Sequence, residues 1–313
     1  MLKWFFLSNI LLIASCVLVK VSPELKSKAP TDNILTAGTA VLSNKKIALQ
    51  FLSSFGAPGN GPGELNHSTA ITYDFKGRIL IADAGNHRIV IFDSLGHYLS
   101  EFGGFGSQDG QFQELTDLVA KNDFFIYTVD SQNRCLQRFE ADGKFLLKIE
   151  NVEFKRPFAV TFAPSGEMYV LDQERCKVFV FDEFGRRKFD FGEFGTGEGQ
   201  MINPQKIVFF KEKIFVTDQG NGRVAVFSRL GRYLTNLGKN ILHSPVGLKI
   251  APNGNLLVTD TGTSSIVVLN SFGQLMSSFS TELKEPIDLV LVGENKLYVL
   301  DRIGGYVAGF RIE

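Results

Sequence analysis

Ile79–Gly103 reads ILIADAGNHRIVIFDSLGHYLSEFG. It divides into three short strands. An apolar run, Ile79–Asp83, closes on an acid, and Ala84–His87 is a small polar turn. Arg88–Asp93 follows, and Ser94-Leu95-Gly96 turns the chain into Tyr98–Phe102. Branched and aromatic residues between Gly, Asn and Asp punctuation mark hairpin-linked strands. The stretch decides the fold because it recurs. Asp83 has counterparts at Asp130, Asp172, Asp218, Asp260 and Asp301, at spacings of 47, 42, 46, 42 and 41 residues. Nine residues beyond these stand Phe92, Phe139, Phe181, Phe227, Leu269 and Phe310. Six units of four strands at this period predict an all-β, six-bladed β-propeller of four-stranded antiparallel blades.

The innermost strand of each unit is expected at Thr69–Tyr73, Leu118–Ala120, Phe158–Phe162, Lys206–Phe209, Val246–Ile250 and Ile287–Leu291. The second strand ends on the recurring Asp, and a Gly turn follows the third in five units, at Gly96, Gly143, Gly185, Gly231 and Gly273. Six residues after those glycines come Phe102, Ile149, Phe191, Leu237 and Phe279, the apolar ends of the outermost strands. A fixed offset pins register, since a one-residue slip would turn a strand inside out. The sixth unit stops after its third strand, at Glu313. Its missing strand is at the other end, where Ile47–Gly56 (IALQFLSSFG) has the outermost pattern with nothing before it. The N-terminal strand is therefore expected to complete the last blade and close the ring, removing the exposed edges of an open array.

The unit, an apolar strand, Asp-x-Gly-Asn-x-Arg-Ile, Phe-Asp, a Gly turn and a Phe-Gly, resembles the NHL repeat family. Asp83-Ala84-Gly85-Asn86-His87-Arg88-Ile89 and Asp218-Gln219-Gly220-Asn221-Gly222-Arg223-Val224 match best. Asp130-Ser131-Gln132-Asn133 is a fair match, and units three, five and six lack the Asn and the Arg. The resemblance covers about Lys45–Glu313. It implies a six-bladed propeller with a role drawn from protein binding, RNA binding or extracellular sensing, with a few lyases and lactonases on related rings. Fold alone does not choose among these.

The ends and the composition narrow the choice. Lys3 precedes a mostly apolar run, Trp4–Ala14, which leads to Leu12-Ile13-Ala14-Ser15-Cys16. A charged start, a short apolar core and small residues before a cut site describe an export signal. The ending resembles a bacterial lipobox, which would leave Cys16 as a lipid-modified N-terminus; plain secretion and an uncleaved anchor are the alternatives. Trp4–Val19 is 16 residues long, short of the roughly 20 that span a bilayer. The expected organisation is a signal peptide over 1–16, a flexible tether over 17–44 and the propeller over 45–313. Lys+Arg and Asp+Glu both number 33, so no global field draws the chain to nucleic acid. Cys135 and Cys176 lie out of register in neighbouring units and are expected to be free, inert thiols.

Alternating strands put the middle turns and the loops crossing from one blade to the next on one face. The two hairpin turns of each blade fall on the other. Three crossing loops are long and Gly-rich: Phe55–Leu65, Phe102–Leu115 and Phe191–Pro204. They run strand to strand, so they are not phosphate cradles, which need a following helix. The six-fold Asp suits turns and backbone hydrogen bonds rather than one catalytic centre, with Arg88 and Arg223 bracing the same turns. More informative are positions where the repeats disagree. Thirteen residues before the repeat Asp, small residues alternate with Asp117 and Asp288, and Lys206 is the equivalent in unit four. Three charges around a channel mouth could bind calcium, another divalent cation or a polar ligand group.

The four histidines, His67, His87, His97 and His243, do not cluster, which argues against a zinc site. Arg88, Arg134, Arg175, Arg223 and Arg302 make a mildly basic rim on the loop-rich face, suited to a protein or an anionic glycan. The expectation is a monomeric, non-catalytic, extracytoplasmic binding or scaffold protein, without a cofactor, held to the cell envelope by a lipid on Cys16. The competing reading is a metal-dependent lactonase or lyase with its site in the channel.

Overall fold

The structure, a computed structural model, describes residues 47–121, 124–280 and 282–313. The expected signal peptide, Cys16 and the whole of the expected tether lie outside them. Blade 1 contains Ala70–Tyr73, Ile79–Asp83, Arg88–Phe92 and Tyr98–Gly103, from the axis outwards. Blade 2 runs through Leu115–Lys121, Phe125–Asp130, Cys135–Glu140 and Phe145–Glu150, and blade 3 through Pro157–Phe162, Met168–Asp172, Lys177–Phe181 and Arg187–Phe191. Pro204–Phe210, Lys213–Asp218, Arg223–Ser228 and Tyr233–Leu237 make blade 4. Blade 5 is Pro245–Ile250, Leu256–Asp260, Ser265–Leu269 and Leu275–Ser280. Blade 6 takes Pro286–Val292, Lys296–Asp301 and Tyr306–Ile312 from one end of the chain and Leu49–Phe55 from the other. Leu49 pairs with Ile312 and Phe55 with Val307, so the ring closes as the repeat offset requires.

The continuous apolar runs follow from burial on both sides of each blade. In blade 1, Ile79, Ile81, Val90 and Phe92 pack towards blade 6. Their alternates Leu80, Ala82, Ile89 and Ile91 pack towards blade 2. Period-two geometry thus gives each seam its own core, and the other four seams hold one each. The recurring aromatic anchors these cores; Phe139 is fully buried, with its ring 5.0 Å from that of Phe102 and 5.8 Å from that of Phe112. The end of an outermost strand also lies against the next blade's turn glycine. Gly143 sits at φ +93°, and a Cβ there would meet the Phe102 ring at 2.6 Å, so this turn admits only Gly.

Two local features depart from the sequence reading. Five innermost strands begin earlier than expected, because a β-bulge interrupts pairing just before the channel position, as between Leu115 and Asp117 and between Pro286 and Asp288. The bulge re-aims the side chain that follows it. The middle turns of blades 1 and 4 tighten into single 3₁₀ turns, Ala84–Asn86 and Gln219–Asn221.

Hairpin turns of neighbouring blades touch on the face away from the crossing loops. Arg78 in the inner turn of blade 1 donates to Ala141 O in the outer turn of blade 2 (2.7 Å). Glu167, at the inner turn of blade 3, accepts from Lys188 (2.6 Å), Ser165 Oγ (2.8 Å) and Arg229 of blade 4. With the Lys188 bond the largest cause, these partners hold the Glu167 carboxyl down at about 2. A carboxyl lowered on folding stabilises the fold fully above its unfolded pKa, and that contribution fades as pH falls towards 2. Glu167→Gln is therefore expected to cost about 1 kcal/mol at pH 7 after solvent screening. The variant and the wild-type chain should converge in urea titrations near pH 2.

Candidate functional site

Each recurring Asp is fully buried and ties the incoming loop to its own blade. Its carboxylate accepts a backbone N–H two to four residues before the innermost strand: Asn66 for Asp83, Gln113 for Asp130, Lys155 for Asp172, Ile202 for Asp218, His243 for Asp260 and Lys284 for Asp301, all at 2.6–2.8 Å. These carboxylates are structural clamps, and their bonds are the strong, charge-assisted kind.

The three long loops share one conformation. In each, a Glu or Gln side chain folds back onto the loop's own backbone: Glu64 to Gly61 N–H (2.8 Å), Gln111 to Gln108 N–H (3.2 Å) and Gln200 to Gly197 N–H (2.9 Å). The loop then plugs a seam with a buried apolar residue, Leu65, Phe112 or Met201. The middle-turn asparagines hold the loops down. Asn86 donates to Gly59 O (2.9 Å), Asn133 to Gly106 O (2.9 Å) and Asn221 to Gly195 O (3.0 Å). The units that keep the Asn are thus the units with a long loop to hold.

Arg88 and Arg223, two members of the expected basic rim, are spent on the same task. Arg88 bonds Asp83 (2.9 Å), Glu101 (2.9 Å), Gly61 O (2.8 Å) and Glu64 O (2.9 Å). Arg223 bonds Asp218 (2.8 Å), Gly197 O (3.1 Å) and Gln200 O (2.8 Å). Both are buried, so neither offers its charge to a partner, and the bracing role is the one the geometry supports. Arg134 is exposed on its turn. Arg175 lies at the surface with Nε donating to Glu153 O (2.7 Å), and Arg302 is paired with Glu285. In blade 2 Gln137 replaces the bracing Arg, accepting from Gly110 N–H (2.8 Å) and donating to Gln111 O (2.7 Å).

Anchored this way, the loops present residues that the repeat pattern did not single out. Phe105 and Phe194, at equivalent loop positions, are 69% and 70% exposed. A groove of about 570 Å³ opens between blades 6 and 1, lined by Pro58, Asn60, His67, Asn86, Arg302 and Ile303. The sequence signal that could have found the aromatics is Phe-Gly-x-Phe-Gly, at Phe102–Gly106 and Phe191–Gly195.

The channel position brings its three charges together. Lys206 Nζ lies 2.7 Å from both Asp117 Oδ1 and Asp288 Oδ2, across the axis from blades 2 and 6. Asp117 Oδ2 also accepts from Val160 N–H (2.9 Å), and Asp288 Oδ2 from Ile71 N–H (3.1 Å). Each aspartate thereby satisfies an unpaired N–H on the next blade's innermost strand. Burial pushes the Asp117 carboxyl up, and Lys206 pulls it only partly back. Burial disfavours the Lys206 ammonium, but its two carboxylates outweigh that and hold it above its ordinary value. On the innermost strand of blade 5, burial, then the charge of Lys206, lowers the pKa of Lys249. Ala70, Ala159 and Gly247 leave the room this triad needs; a Cβ on Gly247 would stand 2.7 Å from Asp288 Cα. The donor set does not suit a divalent cation, because an ammonium stands where the metal would bridge the carboxylates. Among the described residues no three His, Cys, Asp or Glu side chains converge as a metal site.

Cys135 and Cys176 are free and buried. Burial, then Asp130, pushes the Cys135 thiol up to about 12, so it carries no thiolate at neutral pH.

No protein-family profile matches the chain. The E3 ubiquitin-protein ligase NHLRC1 of Rattus norvegicus is 26% identical over 305 residues, which cover 89% of this chain and 75% of that protein. The E3 ubiquitin-protein ligase TRIM32 of Homo sapiens is 25% identical over 305 residues, covering 84% of this chain and 44% of TRIM32. Protein brain tumor of Drosophila melanogaster matches over 130 residues at 26% identity, covering 41% of this chain and 12% of that one. With the closed six-bladed ring, these matches support an NHL-repeat β-propeller. Solved structures show the same fold: a Bacteroides thetaiotaomicron protein of unknown function at TM-score 0.65 and 14% identity, covering 85% of this propeller's chain and 76% of its own. Virginiamycin B lyase from Staphylococcus aureus follows at TM-score 0.59 and 12% identity, covering 85% and 99%. At such identities they speak for the fold alone. The NHL-repeat propeller spans less than half of TRIM32, so that protein's activity does not transfer with the ring.

Proposed function

We propose that this chain is a non-catalytic scaffold, exported and held at the cell envelope by a lipid on Cys16, which binds a protein partner on its loop face. The observation that carries the binding role is the set of three equivalent loops, pinned by Asn86, Asn133 and Asn221, two of which hold Phe105 and Phe194 in solvent, on the face where the groove at Ile303 opens. Rigid exposed aromatics are a low-entropy way to make contact area. NHL-type relatives that are ubiquitin ligases, by name proteins that act on proteins, favour a protein over a glycan. The export role rests on Lys3, the Trp4–Ala14 run and the lipobox-like ending at Cys16. The lyase-type reading is disfavoured because Asp117 and Asp288 Oδ2 are engaged by Lys206 and the neighbouring backbone.

The test is site-specific photo-crosslinking in the producing cell. A photoreactive residue at Phe105, Phe194 or Ile303 is expected to give one discrete protein adduct that is not formed from exposed Phe75 on the other face. No adduct from the loop face, or the same products from both faces, would overturn the reading.

A further inference from the structure

The hairpin-turn face carries an apolar pattern that loop binding does not use. Leu95, Phe184, Leu230 and Phe272 occupy one position, just before the turn glycine, in the outer turns of blades 1, 3, 4 and 5, and are 74–81% exposed. Blade 2 has Asp142 there, but its inner turn presents Phe124 at 66%, and blade 1 adds Phe75 at 76%. Each of blades 1 to 5 therefore points an apolar tip from this face. Blade 6 is the blade on which the described chain begins. Ala48 pairs with Glu313 through two backbone hydrogen bonds (3.2 and 3.0 Å), and Ile47 lies beside the inner turns of blades 5 and 6, near Asn253 and Glu294. The described chain thus begins on the turn face.

We propose that this turn face rests on the lipid bilayer, its apolar tips seated among headgroups and upper acyl chains, so that the loop face points away from the membrane. The inference rests on the anchoring reading above and adds an orientation to it. A 28-residue tether over 17–44 has a root-mean-square reach of roughly 30 Å, which favours presenting to the membrane the face the tether enters. Shallow burial of aromatic and leucyl side chains adds to the hold of a lipid anchor and fixes the propeller's orientation on the surface. Acidic and basic residues balance on the same turn, as in Asp182-Glu183-Phe184-Gly185-Arg186-Arg187, so the docking does not require anionic lipid.

The test uses the lipid-bearing chain purified from the producing cell, expressed in a Trp4→Phe background so that no native Trp contributes whether or not the signal is cleaved, and reconstituted into phosphatidylcholine vesicles with or without bromine near the headgroup end of the acyl chains. Phe184→Trp and Phe272→Trp report the turn face, and Phe194→Trp the loop face; all three sites are at least 70% exposed, so the substitutions leave the core alone. Bromine is expected to quench the two turn-face reporters at least twofold and to leave the loop-face reporter unchanged. Vesicle-bound chain whose turn-face reporters are unquenched, or whose loop-face reporter is quenched instead, overturns the orientation alone. A chain that stays off the vesicles overturns the orientation and the anchoring together.

Discussion

Replacing Leu49–Phe55 by a Gly/Ser segment of equal length is expected to leave a chain with no cooperative thermal transition. This strand is the outer wall of blade 6 and ties the two ends of the sequence into one sheet. Without it, Tyr306–Ile312 becomes an unpaired edge and Phe310 loses the Phe51 ring 5.9 Å away. Phe55 packs 5.0 Å from Phe92 and 6.0 Å from Tyr298, so its loss also opens the seam between the first and last blades. Losing a ladder and two aromatic anchors together should remove more than about 5 kcal/mol, a large part of the 5–15 kcal/mol that holds a typical domain. Calorimetry and circular dichroism would show it. A transition of wild-type size within a few degrees would mean that the ring does not depend on this closure.

Lys206→Met is the second large effect. It removes the ammonium that two buried carboxylates share and keeps the side-chain volume. Breaking a buried ion pair from one side costs about 3–5 kcal/mol, which at roughly 2–4 °C per kcal/mol lowers the melting temperature by about 6–20 °C. The pH dependence has a definite sign. Asp117 already has its folded pKa raised, and losing Lys206 raises it further. A carboxyl raised on folding destabilises once ionised, so the variant should regain stability as pH falls from neutral towards the unfolded carboxylate pKa. The triple variant Asp117→Asn, Lys206→Met, Asp288→Asn should recover most of the loss at pH 7, since each Asn Oδ1 can still accept from Val160 or Ile71. A triple variant no better than Lys206→Met would show that the triad is more than a neutralised pair of backbone caps.

The ring was legible in the sequence for a physical reason. Every blade needs an acid to hold its incoming loop and a large apolar side chain to fill its seam, so Asp83 recurs in all six blades and Phe92 in five, with Leu269 in its place in blade 5. Closure by Ile47–Gly56 was legible because an outermost strand without its three companions has only one place to pair. The alternation of Asp117, Lys206 and Asp288 on blades 2, 4 and 6 was also visible from register. Whether the three would meet was not, because that depends on rotamers reaching across the axis and on bulges that move each strand's start. Arg88 and Arg223 illustrate the same limit: one spacing serves a rim charge or an internal brace, and only the fold of the Gly-rich loops separates them. The exposed Phe105 and Phe194 look like core residues in sequence. They are surface residues because their neighbours Phe112 and Met201 have already filled the seams.

The most direct test of a binding protein with a structurally closed channel is elemental analysis of the purified chain, with thermal melts before and after chelator and with added calcium. The account predicts no stoichiometric divalent metal and a melting temperature that moves by less than a degree under either treatment. A metal bound at one per chain, lost to chelator together with several degrees of stability and retained by wild type but not by Asp117→Asn, Asp288→Asn, would contradict it and place a metal centre in the channel.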